Sequence, residues 1–107
     1  MSILGSVAGI FSSRAKAEAI FARAMEKAKN KDTQGAVEDY TAILAVPKAS
    51  PSIKAMALFN RALSFSNAGQ YKAAKEDLES VLLSTDVPSS VRAAAKAKQE
   101  RMRKLSR

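Results

Sequence analysis

The stretch Ala57–Leu82, "ALFNRALSFSNAGQYKAAKEDLESVL", decides how this chain is read. Leu58, Ala62 and Phe65 follow one another at helical spacing with Leu63 beside them, and after an interruption Ala74, Leu78, Val81 and Leu82 do the same. That period places each set on one stripe of an α-helix. Between the stripes, "SNAGQY" supplies Asn67 and Gly69, which end a helix cheaply because glycine enters the left-handed conformation without steric cost. Two amphipathic helices joined by a short turn are the expected result.

Most of this stretch occurs twice. Ala19, Ile20, Phe21, Arg23, Ala24 and Met25 align with Ala57, Leu58, Phe59, Arg61, Ala62 and Leu63 at an offset of 38 residues. The same offset carries Ala36, Glu38, Asp39, Tyr40, Ile43 and Leu44 onto Ala74, Glu76, Asp77, Leu78, Val81 and Leu82. Such self-similarity points to a stacked array of helical hairpins, none of which can bury its apolar stripe alone. In the upstream copy the break falls at "KNKDTQG", where Asp32 or Thr33 can cap the next helix. The small pairs Ala24 with Ala36 and Ala62 with Ala74 are where two so connected helices approach closely. Arg23 with Asp39 and Arg61 with Asp77 occupy the same places in the two copies, which predicts one ion pair within each hairpin.

With these residues in view, the chain resembles the tetratricopeptide repeat family, a helix-turn-helix repeat of about 34 residues. In the second copy Leu58 takes the first large position, Ala62 the Gly position, Phe65 the aromatic, Ala74 the later Ala and Leu78 the second aromatic. Tyr71 follows Gly69 by two residues, as is common in the family. The first copy keeps Ile20, Ala24, Ala36 and Tyr40 but has Lys27 in place of the aromatic and Lys31 in place of the turn Gly. The resemblance covers about residues 16 to 86 and implies an all-α helix-turn-helix repeat array, an α-solenoid. Repeats are expected at about 16–48 and 54–87, with a capping helix at 89–105. Helices are expected near 16–30, 34–45, 52–67, 71–84 and 89–105, with a further N-terminal helix within residues 1–15. Four extra residues around "AVPKASPSIK", with Pro47 and Pro51, read as an extended linker that splays the repeats. Ser89 or Ser90 can cap the last helix.

The N-terminal segment, residues 1–15, is read separately. Ile3, Leu4, Val7, Ile10 and Phe11 fall at helical spacing, so it can dock on the first repeat, self-associate or touch a membrane. It is too short to span a bilayer and has no basic residue before the apolar run, unlike a secretory signal. A cytoplasmic setting is expected.

The 107 residues include neither cysteine nor histidine, which excludes disulfides, thiolate chemistry, imidazole metal sites and His-based triads. No Gly-rich phosphate loop is present. The reading is therefore non-enzymatic, without cofactor or metal. Net charge is +8, but the middle of the chain is acidic and both ends are basic; residues 88–107 carry seven basic side chains and one acidic.

The resemblance implies that the first helix of each hairpin lines a concave groove. It would place Phe21, Met25, Met56, Phe59, Asn60 and Leu63 there, as a contact surface for a peptide or protein segment or for a second copy of the chain. Family members that capture C-terminal carboxylates imply a sharper option, in which Asn60, Arg92 and Lys96 match clamp residues while Phe21 and Met25 replace the other two. Arg92 and Lys96 would then orient an acidic ligand. The alternative partner is nucleic acid, bound without sequence preference through phosphate contacts of the basic C-terminal helix, which has no aromatic residue for base stacking.

Overall fold

The repeated stripes fold as five helices: α1 (Ser2–Lys29), α2 (Thr33–Leu44), α3 (Pro51–Asn67), α4 (Tyr71–Leu83) and α5 (Ser89–Leu105). A computed structural model describes the backbone of residues 2–105 and the side chains of residues 13–105. The helices pack in chain order, α1 on α2, α2 on α3, α3 on α4 and α4 on α5, with lighter contact between α1 and α3 and between α3 and α5. The domain is all-α, and no helix among the described residues is long and apolar enough to cross a membrane.

Both hairpin turns are built alike. Lys31 has φ 66° and Gly69 has φ 79°, and these residues are 38 apart. The amide that follows each donates back across the turn, Asp32 N to Lys27 O and Gln70 N to Phe65 O, both at 2.8 Å. This satisfies a helix-end carbonyl that would otherwise lack a partner. Glycine enters that conformation freely, whereas a lysine there costs about 1 kcal/mol. Asp32 then caps α2, its carboxylate accepting from Gly35 N at 3.0 Å. A Cβ on Gly35 would collide with that carboxylate, so the residue is small because the cap is close.

Ala24, Ala36, Ala62 and Ala74 have no exposed surface. The first pair lies in a cluster with Tyr40, Ile43 and Ala57, the second in one with Leu78, Val81, Ala95 and Met102. Two small side chains at each crossing let Tyr40 and Ile43, or Leu78 and Val81, fill the space beside them. Burying one such side chain stabilises by about 2 kcal/mol.

Three expectations need correction. The linker does not simply extend: Val46 N donates to Ile43 O and Ala49 N to Val46 O, so the inserted residues form turns. Val46 and Ala49 are buried in a cluster with Ala17, against which Ile20 and Ile53 pack, and the insertion thus fills the wedge between α1 and α3. Ser50 and Pro51 start α3 as N-cap and first helical residue, with Ser50 Oγ accepting from Ile53 N at 3.2 Å. Neither Ser89 nor Ser90 flanks α5; both lie inside its first turn, and the carbonyl of Pro88 accepts from Val91 N and Arg92 N. At the other end the N-terminal helix and the helix expected from residue 16 are not separate, because the backbone of α1 is one continuous helix from Ser2. The side chains of Ile3, Leu4, Val7, Ile10 and Phe11 lie outside the described residues.

Candidate functional site

Ala17, Phe21 and Met25 stand one turn apart on α1 and face Ile53 and Met56 of α3 across a groove of about 670 Å³. Ala17 and the linker's Ala49 are buried and form its floor. The Phe21 ring is half-buried because its edge meets Tyr40, with ring centroids 5.6 Å apart and planes at 67°. Beneath the groove, then, the aromatic pair belongs to the core, and what faces outward is one side of Phe21 with Met25 and Met56. Met25 is 51% exposed and borders the groove.

The rim is polar. Arg14 Nε lies 3.3 Å from Glu18 Oε1, an exposed pair that leaves little net charge on that side. Lys48 stands opposite on the linker, exposed, and makes no hydrogen bond or ion pair among the described residues. The groove is accordingly largely apolar, and Lys48 is its one unpaired cation among the described residues.

The expected site residues divide among three places. Phe21, Met25 and Met56 line this groove together. Phe59, Asn60 and Leu63 do not, although helical spacing puts Asn60 and Leu63 on the same face of α3 as Met56. Phe59 is half-buried against the Ala62 cluster. The Asn60 amide donates to Met56 O of its own helix at 2.8 Å, and Leu63 is half-buried. Arg92 and Lys96 are on α5, away from the groove. The Arg92 guanidinium donates to Leu82 O at 2.8 Å and Ser84 O at 2.6 Å, tying α5 to the carbonyl end of α4. Lys96 is exposed.

The aspartates that recur in the two copies are occupied. Arg23 grips Asp39 through two hydrogen bonds of 2.9 Å, and Arg61 grips Asp77 through two of 2.7 Å. These are the ion pairs expected from the spacing. They differ in support: Lys27 adds a second cation 3.0 Å from Asp39, whereas the residue 38 positions on is Phe65, over whose ring Arg61 lies at 5.5 Å. Hydrogen bonds from Arg23, opposed by burial and reinforced by Lys27, hold the Asp39 carboxyl below the usual aspartate range. Arg61 also reaches Thr41 Oγ1 at 3.0 Å, which joins the second hairpin to the first.

Sequence reasoning missed Ile53 and the linker residues Lys48 and Ala49. The signal for Ile53 was the pair Ser50-Pro51, an N-cap followed by proline at the first helical position, which fixes the start of α3 and puts Ile53 near Met56. Lys48 and Ala49 carried no signal, because the insertion has no counterpart in the other copy. No family model matches the chain, and neither a curated protein nor a solved structure matches it.

Proposed function

We propose that this protein is a non-enzymatic interaction module of tetratricopeptide-like design, which takes a short apolar segment of another protein in the groove between α1 and α3. The observation that carries the reading is the exposure of Met25 beside Phe21, Ile53 and Met56 in a groove large enough for side chains of a ligand. Charge complementarity at the unpaired Lys48 favours a segment with an acidic residue at one end. The repeat design is supported by register: matching turns at Lys31 and Gly69, an ion pair at the same positions of each hairpin, and buried alanines at each of the four crossing positions. The apolar residues anchor and Lys48 orients.

Peptides selected from a random displayed library, then measured individually by fluorescence anisotropy, test this reading. Selected sequences should combine large apolar residues with an acid. Ala22→Glu with Met25→Glu, both exposed positions on the groove wall, should weaken their binding at least about 10-fold, since apolar anchors commonly contribute more than about 1 kcal/mol. Leu83→Glu, exposed on α4, should leave it unchanged. Equal binding by the groove variant and the parent protein would remove the groove from the reading.

A further inference from the structure

Helix α5 holds to the domain by a narrow seam: Ala95 and Met102 are buried, and Val91 packs half-buried beside them. Its remaining charged side chains are basic except for Glu100. Arg92 is committed to the α4 carbonyls and Arg103 pairs with Glu100 at 2.6 Å. Lys96, Lys98 and Arg101 make no hydrogen bond or ion pair among the described residues, and Lys104 is exposed nearby, close enough to help lower the pKa of Glu100. Helical geometry sets Lys96 and Arg101 on the two flanks of the surface opposite Ala95 and Met102, with Lys104 between them, over about 12 Å of helix axis.

From this we infer that the outer face of α5 is a phosphate-contact surface for duplex nucleic acid, read without regard to sequence. Three features select this partner. A rigid helix holds the cations in a fixed array, which a duplex with regularly spaced phosphates can match. The small exposed residues between them, Ala93 and Ala97, let the helix come close to a backbone and offer no bulky apolar group to insert into a lipid interface. The face has no aromatic residue, so nothing on it favours unstacked single strands over a duplex. The contact is independent of the groove, which faces α1 and α3.

Anisotropy of a labelled duplex of about 20 base pairs, titrated from about 50 to about 200 mM salt, tests the inference. Three or four phosphate contacts predict a slope of log affinity on log salt of about −3, or roughly 100-fold weaker binding across that range. Two duplexes of unrelated sequence should bind alike. The triple variant Lys96→Ala, Arg101→Ala, Lys104→Ala should lose at least about 10-fold at low salt and most of the slope. A charge-matched control with Lys16→Ala, Lys72→Ala and Lys75→Ala, exposed on α1 and α4, should keep both. The inference is overturned if the duplex does not bind at about 50 mM salt, whether or not phosphatidylserine vesicles do, or if the two triple variants lose binding equally.

Discussion

Two aspartates in equivalent places have different neighbours, and the difference sets what their loss would do. The side chains of Asp39 and Asp77 are each only 7% exposed, yet the Arg23 side chain is 61% exposed and that of Arg61 only 18%. Arg23→Ala leaves Asp39 with Lys27 still 3.0 Å away and should cost about 1 kcal/mol. Arg61→Ala strands the buried Asp77 and also removes the bond to Thr41 and the contact with the Phe65 ring, so about 3 kcal/mol is expected. Denaturant midpoints of the two variants read the contrast. Acid should reveal the same chemistry. The folded-state pKa of Asp39 is depressed, so its contribution to stability is complete above the ordinary aspartate pKa and is lost as pH falls through the folded value. The parent protein should therefore lose more stability below about pH 4 than Arg23→Ala, whose Asp39 starts closer to its unfolded value.

At the scale of the helical element, the crossing points matter more than the stripes. Ala62 and Ala74 are fully buried in the same cluster, with Leu78 and Val81 packed around them, and no space is left for a longer side chain. Ala62→Leu should force α3 and α4 apart and cost about 1 to 3 kcal/mol through overpacking. An unchanged urea midpoint would place the close approach elsewhere. The linker follows a different logic. Its burial of Val46 and Ala49 comes from the wedge between α1 and α3, a space created by the helices on either side of it rather than by any pattern within "AVPKASPSIK". Proline spacing suggested extension there, and local turns prevailed because they bring two apolar side chains to that space.

Across the whole molecule, α5 closes the second hairpin as Ala57 of α3 closes the first, each covering an apolar cluster that the preceding hairpin leaves open. Met102 is the large side chain through which α5 does this, at 4% exposure. Met102→Ala should cost about 2 kcal/mol or more and should raise hydrogen exchange in α4 before α1, since the exposed cluster lies against α4. Uniform acceleration along the chain would contradict that role. The helical class, the number of hairpins and the close alanine pairs were set by the sequence itself, because a period of three to four residues and its recurrence at 38 are local properties that survive any packing arrangement. So were the ion pairs, since Arg and Asp recur at one fixed separation. The tertiary structure alone decided that Phe21, Met25 and Met56 share a groove while Phe59 packs against the core, that Arg92 holds α4 instead of facing a ligand, and that Lys48 stands at the rim. Those outcomes depend on how α1, α3 and α5 sit relative to one another. That arrangement follows from side-chain volumes at several helix contacts at once, and no single segment of the chain encodes it.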